Sequence, residues 1–293
     1  VIAEYNKELA RLENEYTRQN AQGNSAVSLK YGADGRPLVE IANFSTILKN
    51  DEKFSSLKFN LLTNSPEIED KKGRRKWNDA DDAKAREYIE ARYKIHHRSK
   101  YEDALWSVLR DREYHPVREL VELIEWDGQS RIETFLAKWM LCEDSDYTRE
   151  VSRLIFAGGI NRLYNPGCKY DDIPVLIGEK QGEGKSTLVR WLAMQDEFFA
   201  EITEIEGKQG IEALDGVWVG EFGELLALTK AREVEAAKEY ITRQVDKCRL
   251  AYGRWVTDRP RQCIFIGTTN KRQFLTDKTG GRRFYPVIVH QSG

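Results

Sequence analysis

The residues best suited to chemistry begin with a glycine-rich loop inside residues 175–193, VLIGEKQGEGKSTLVRWLA. An apolar run precedes the loop and an amphipathic pattern follows it, which predicts a strand, a loop and a helix in that order. Gly182 and Gly184 let successive backbone N–H groups converge on phosphate oxygens. Lys185 can reach the terminal phosphates, and the Ser186 hydroxyl can ligate Mg²⁺. We therefore expect ATP and Mg²⁺ as cofactors, bound by Gly182, Glu183, Gly184, Lys185, Ser186 and Thr187.

The first glycine of this loop is out of its usual place. In the pattern G-x-x-x-x-G-K-[ST] that position holds Glu179, and Gly178 lies one residue too early. Either the turn forms differently, or Gly178 takes the role with one extra residue in the loop. A purely structural loop is the alternative interpretation.

Carboxylates follow an apolar run further along the chain, in DGVWVGEFGEL. Mg²⁺ and the attacking water of a phosphate site require such groups at the end of a neighbouring strand. Glu221 is the first candidate, as a catalytic residue and as a metal ligand beside Ser186, and Glu224 is the second. The alternative is a helix whose first turn is stabilised by acidic residues.

Two later segments complete the predicted catalytic set. The run CIFIGTTN ends in Asn270, whose amide can contact the γ-phosphate and place the water, although asparagine is also common in turns. Arg282 and Arg283 follow a Gly-Gly turn, and a guanidinium aimed at the γ-phosphate stabilises transition-state charge. Two surface arginines before a strand are the alternative.

Residues 238–262 are rich in Lys and Arg interleaved with aromatic side chains. Basic groups neutralise backbone phosphates and aromatic rings stack on unpaired bases. We predict nucleic-acid contacts at Lys247, Arg249, Arg254 and Trp255. A solvated charged face with ordinary core aromatics is the alternative.

Four short apolar runs predict strands at 173–177, 216–220, 263–269 and 282–289, with helical stretches between them. This alternation indicates an α/β fold with a mainly parallel sheet. The preceding region, 69–165, has helical spacing. One of its helices begins at Pro116 and another carries a capping box at Ser130 and Glu133.

We expect three regions: residues 1–68, an α-helical domain at 69–165, and the ATPase core at 166–293, truncated at its C-terminus. The first contains an amphipathic helix at its start, which packs on its own domain or forms a self-association seam, and two short strands, RPLVEIANF and SSLKFNLL. The charged run at 69–82 is predicted to be an exposed connection.

The composition indicates a globular protein rather than a disordered or fibrous one. The chain has 293 residues, 40% hydrophobic and 32% charged, with a net charge of −2. No apolar stretch approaches the roughly 18 residues of a membrane helix, so no membrane partner is expected. The four cysteines form no C-x-x-C pair, which favours free thiols and a cytoplasmic location.

Taken in order, these segments resemble the virulence-associated protein E family, which is related to superfamily 3 helicases. The resemblance runs from Trp77 to Val287 through REYHPVRELVELIEWDG, the glycine-rich loop, GVWVGEFGEL, KEYITRQVDKCRLAYGR and PRQCIFIGTTNKRQFLTDKTGGRRFYPV. It implies a P-loop NTPase core of AAA+-like type preceded by a helical region. Lys185 and Ser186 would be the Walker A pair, Glu221 or Glu224 Walker B, Asn270 sensor 1, and Arg282 or Arg283 the arginine finger. The acidic segment departs from the common helicase pattern of two adjacent acids, because Gly220 precedes Glu221.

The resemblance implies homo-oligomeric rings, frequently hexamers, that bind single-stranded or forked DNA and unwind the duplex in the 3′–5′ direction. The leading hypothesis is an ATP-driven DNA helicase or translocase in replication of a phage or mobile element. A nucleotide-gated DNA-binding initiator without unwinding activity is the alternative, favoured by the unusual loop spacing. A small-molecule kinase is a weaker third reading, because no acceptor site is evident.

Overall fold

The computed structural model describes residues 27–178, 180, 182–223, 231–249, 256–271 and 281–290, with backbone alone at 231–234, 248–249, 256 and 281. The chain divides after His115 into two compact units. We call them the N-terminal unit and the C-terminal unit. The amphipathic helix predicted at the start of the chain lies outside the described residues.

The N-terminal unit combines helices with a small sheet. Its elements are α1 (Ile41–Asn50), β1 (Lys58–Asn60), β2 (Ser65–Asp70), β3 (Gly73–Lys76), α2 (Asp79–Tyr93), α3 (Arg98–Asp111) and β4 (Glu113–Tyr114). The strand order is β3-β2-β1-β4, with only the β1–β4 pair parallel among the pairings described. Side chains from α1, α2, α3 and β1 form one buried apolar cluster. No division therefore falls at the predicted 68/69 boundary, because elements on both sides of it share this core.

Two predictions for this unit need correction. The last four residues of RPLVEIANF, from Ile41 to Phe44, are in helix α1 rather than a strand, because Phe44, Ile47 and Leu48 recur at helical spacing and are buried on one face. The charged run at 69–82 is exposed for most of its length as predicted, but it forms the β2–β3 hairpin and the start of α2. Asn78 caps α2 in a capping box with Asp81.

The C-terminal unit opens with three helices, α4 (Pro116–Glu122), α5 (Phe135–Met140) and α6 (Asp146–Tyr164). Pro116 at the first helical position is confirmed. The prediction of a capping box at Ser130 and Glu133 is wrong, because α5 begins only after Thr134. The Glu133 carboxylate instead forms an ion pair with Arg153 at 2.8 Å. Helix α6 carries the real capping box.

A five-stranded sheet, all parallel, forms the centre of the C-terminal unit. It consists of β5 (Ile173–Ile177), β6 (Phe199–Glu201), β7 (Val219–Gly223), β10 (Ile264–Thr269) and β11 (Phe284–Ile288), in the order β11-β5-β10-β7-β6. The remaining elements are α7 (Lys185–Leu192), α8 (Gly207–Glu212), α9 (Ala231–Thr242) and a hairpin of β8 (Val245–Arg249) and β9 (Val256–Pro260). The predicted α/β fold with a mainly parallel sheet is confirmed.

Helix α6 packs directly on this sheet. The indole Nε1 of Trp218 donates to the carbonyl of Gly159 at 3.2 Å, and a Cβ at Gly159 would contact both Trp218 and Ile264. The predicted 165/166 boundary therefore does not coincide with a division of the structure. The strand predicted at 216–220 is also displaced: β7 spans Val219–Gly223, so Glu221 lies inside the strand rather than after it.

None of the helices in the described part of the chain is both long and apolar enough to cross a membrane.

Candidate functional site: a cavity around the glycine-rich loop

The last part of the loop between β5 and α7 contains two glycines whose backbone conformation favours glycine. Gly182 and Gly184 have φ angles of 86° and 75°, in the left-handed region that side-chain-bearing residues rarely adopt. Gly184 is the N-cap of α7, so the helix begins at Lys185. The unpaired N–H groups of the first turn, with the positive end of the helix dipole, face the cavity at this end.

Gly178 is required for a different reason. A Cβ at this position would lie 1.6 Å from Oε2 of Glu183 and 2.4 Å from Nζ of Lys185. Its N–H donates to the carbonyl of Thr269 at 3.0 Å, which joins the loop to the end of β10. Gly178 thus supplies a close approach one residue before the usual glycine position, and Glu179 lies outside the described residues.

The ammonium group of Lys185 is held by three acceptors. Its Nζ donates to Oδ1 of Asn270 at 2.8 Å, to Oε2 of Glu183 at 3.2 Å and to the carbonyl of Lys180 at 3.2 Å. The side chains of Lys185 and Glu183 are only 9% and 5% exposed. The Glu183 carboxylate therefore lies inside the loop, beside the residue predicted to bind phosphate.

Glu221 is the centre of a second group of polar contacts. One of its oxygens, Oε1, accepts hydrogen bonds from the hydroxyls of Ser186 at 2.6 Å and Thr268 at 2.5 Å. Glu221 is 3% exposed. These bonds join α7, β7 and β10, because the neighbouring parallel strands end at the same edge of the sheet.

Both groups line one cavity of about 450 Å³ at the carboxyl end of the sheet. Ligands of open parallel sheets bind at this edge. Eight predicted site residues line this cavity: Gly182, Glu183, Gly184, Lys185, Ser186, Thr187, Glu221 and Asn270.

The two predicted arginines are not in this cavity. Nε of Arg283 is 3.4 Å from a carboxylate oxygen of Asp171, and Arg283 lines a separate cavity of about 870 Å³ with Lys238 and Arg243. Arg282 is exposed. Glu224, the second acid proposed for catalysis, lies outside the described residues.

Two of the four predicted nucleic-acid residues, Lys247 and Arg249, belong to β8. Lys247 is exposed on β8. Arg249 is described by its backbone alone, and Arg254 and Trp255 lie outside the described residues.

Two other cations of the same basic segment are structural. Arg261 is 1% exposed and binds both carboxylate oxygens of Asp246, at 2.7 and 3.0 Å. Arg259 pairs with Asp215 at 2.5 Å. These two guanidiniums hold the hairpin in place and are not displayed to a ligand.

Sequence reasoning missed four polar residues of the cavity. Thr268 and Thr269 precede Asn270 in GTTN and were read only as part of a strand. Arg190, on the exposed face of α7, lies over the ring of Phe199 at 4.6 Å. Glu201 ends β6, a strand too short for its pattern to be recognised.

The described residues contain no group of three or more His, Cys, Asp and Glu side chains placed to hold a metal ion. Mg²⁺ in proteins commonly binds through one or two carboxylates, with substrate phosphates and waters as its other ligands.

Comparison with known proteins gives one family match. The model of the virulence-associated protein E-like domain matches residues 120–293. Two solved structures are similar, the A form apo structures of the NrS-1 C-terminal region, one of them of residues 305–718. Their TM-scores are 0.46 and 0.44, at 13% and 14% identity, each covering 80% of this chain. This chain spans 58% of the length of each.

No curated protein matches the sequence. The family match covers more than half of the chain, including the glycine-rich loop, β7, β10 and both arginines. The chain belongs to the virulence-associated protein E-like family.

Proposed function

We propose that this protein is an ATP-hydrolysing DNA helicase or translocase of the superfamily 3 type, acting in replication of a phage or mobile element. One observation carries the proposal. Lys185, Ser186, Glu221 and Asn270, which are far apart in the sequence, line a single cavity at the carboxyl end of a parallel sheet. This is the set of groups that phosphoryl transfer requires.

The cavity fits a nucleoside triphosphate. Its volume of about 450 Å³ is in the range of small-molecule sites, and the N-terminus of α7 supplies N–H donors for phosphate oxygens. Lys185 provides the positive charge. The hydroxyl of Ser186 and the carboxylate of Glu221 are hard oxygen ligands 2.6 Å apart, which fits Mg²⁺.

In this assignment the residues have separate roles. Lys185 neutralises the β- and γ-phosphates, Ser186 and Glu221 hold Mg²⁺, and Asn270 binds the γ-phosphate side through its amide. Mg²⁺ when bound supplies further neutralisation of the phosphate charge. Thr268 keeps the Glu221 carboxylate oriented through its hydrogen bond.

We propose that Arg282 or Arg283 acts on the nucleotide of a neighbouring copy in a ring, a role compatible with their position outside the cavity of their own chain. The homo-oligomer, and a hexamer in particular, remains part of the proposal. The exposed Lys247, with Arg249, Arg254 and Trp255, would contact single-stranded or forked DNA.

A nucleotide-gated DNA-binding initiator without unwinding activity is the second candidate. The ion pair between Glu183 and Lys185 favours this second candidate. The Glu183 carboxylate neutralises the Lys185 ammonium group, so the loop could switch between a state with this ion pair and a state with bound phosphate. A strand-displacement assay on a forked duplex, with and without ATP, separates the two functions.

The central experiment is Lys185→Ala, with Lys208→Ala as a control at an exposed lysine of α8. We expect the first change to lower ATP hydrolysis about 100-fold or more, since it removes the cation from the phosphates. The control should leave hydrolysis unchanged. Normal hydrolysis by Lys185→Ala would refute the site, and a monomeric wild type without stimulation by single-stranded DNA would refute the ring motor.

A further inference from the structure

We propose that Glu201 is a second functional carboxylate of this site, placed to accept hydrogen bonds from water on the metal side of the phosphates. The inference rests on the proposed function and extends it to a residue outside the glycine-rich loop and β7. The first observation is register. Glu201 on β6 is paired with Glu221 on β7, and the two strands are parallel. Paired residues of neighbouring strands project to the same face of a sheet.

The Glu201 carboxylate extends into the cavity. Glu201 lines it together with Glu221, Ser186 and Thr268. A Cβ at Gly223 would lie 3.1 Å from Oε1 of Glu201 and 3.9 Å from the hydroxyl oxygen of Thr268. The missing side chain at Gly223 thus leaves room for the carboxylate to lie beside Thr268 and close to the contacts of Glu221.

The two carboxylates differ in what they can still bind. Oε1 of Glu221 already accepts hydrogen bonds from Ser186 and Thr268, and the residue is 3% exposed. Glu201 is exposed, and in the described part of the chain its carboxylate has no hydrogen-bond or ion-pair partner. The Glu221 carboxylate is therefore held in one orientation and has little contact with solvent. The Glu201 carboxylate is exposed, so its acceptor positions are available for water.

This arrangement accounts for a gap in the sequence pattern. Gly220 stands where many helicases have the first of two adjacent acids, and a side chain there would collide with Phe265 at 2.9 Å. The second carboxylate comes instead from the next strand of the sheet. Hydrated Mg²⁺ keeps several waters, and residues that orient such outer groups commonly change metal affinity by about 10- to 100-fold when removed.

The test is the Mg²⁺ dependence of nucleotide binding by the whole chain, using a fluorescent, non-hydrolysable ATP analogue. We compare the wild type with Glu201→Gln, Glu201→Asp and the control Glu197→Gln, which removes the same charge at an exposed residue just before β6. Glu201→Gln should raise the Mg²⁺ midpoint about tenfold. Its affinity for the analogue in the presence of a chelator should not fall. Glu201→Asp should recover part of the shift, and the control should show none.

The outcomes separate this inference from the function on which it rests. If the wild type binds the analogue and Glu201→Gln leaves the Mg²⁺ midpoint unchanged, the role of Glu201 is refuted and the nucleotide site stands. Equal weakening with and without Mg²⁺ would also refute it, since that result indicates a structural role. If the wild type binds no analogue in either condition, both proposals fall.

Discussion

At the scale of single residues, the buried pair of Glu183 and Lys185 has a direct consequence for ligand binding. Both side chains are almost fully buried and their charged atoms are 3.2 Å apart. A phosphate chain bound by Lys185 would bring additional negative charge against Glu183. On the proposed function, the carboxylate and the phosphates would compete for the same ammonium group, and like charges at such distances repel strongly.

We expect Glu183→Gln to bind ATP about tenfold more tightly than the wild type, a gain of about 1.4 kcal/mol. The amide keeps the size of the side chain and removes its charge. An equilibrium titration with the fluorescent analogue measures the effect, and Glu197→Gln again serves as the charge control. Weaker binding by Glu183→Gln would mean that the carboxylate belongs to the ligand site rather than competing with it.

At the scale of elements, the β8–β9 hairpin and the residue that follows it carry both a buried, paired cation and an exposed one. The Arg261 guanidinium is buried, binds Asp246 through two nitrogens and lies 4.5 Å from the ring of Tyr240. Lys247, on β8, is exposed. Two cations within one basic segment therefore lie in different environments, one buried and paired and the other exposed.

We expect Arg261→Met to destabilise the hairpin by about 3–5 kcal/mol, because it leaves the buried Asp246 without its main partner. Amide hydrogen exchange should accelerate at 245–249 and 256–259, the residues of the hairpin strands that carry a backbone N–H. Lys247→Ala should leave exchange unchanged, while lowering DNA affinity and reducing its salt dependence by about one phosphate contact. Fast exchange in Lys247→Ala, or normal exchange in Arg261→Met, would contradict this division.

At the scale of the whole molecule, each unit has an apolar core of its own. The buried cluster of the N-terminal unit runs from Phe44 to Leu109, and that of the C-terminal unit from Ile173 to Phe284. All the described residues that line the cavity around the glycine-rich loop belong to the C-terminal unit. The site therefore depends on the second core.

A fragment of residues 116–293 should fold and bind the ATP analogue within about twofold of the whole chain, since every residue described as lining the cavity lies in this unit. Circular dichroism and the same titration check this. A folded fragment that has lost nucleotide binding would show that the N-terminal unit contributes to the site. A fragment that fails to fold would show that its core is insufficient by itself.

The sequence alone determined the part of the site that is continuous along the chain. Strand β5, the glycine-rich loop and α7 follow one another directly, so their spacing predicted Lys185 and Ser186 at a helix start. Glu221 and Asn270, which the sequence analysis proposed for catalysis, line the same cavity, because parallel strands end at the same edge of a sheet. Strand limits were less certain, since side-chain pattern alone does not show which residues of 216–223 pair with β10.

Only the tertiary structure decided which distant residues meet. The strand order β10-β7-β6 brings Thr268 and Glu201 beside Glu221, and no local pattern encodes that order. The close approach of Glu183 to Gly178 likewise depends on how the loop closes, and the burial of Arg261 depends on Asp246 and Tyr240. Charge and hydropathy are properties of single residues. Burial and partnership arise from packing between elements, and these distinguish the buried, paired Arg261 from the exposed Lys247 of the same basic segment.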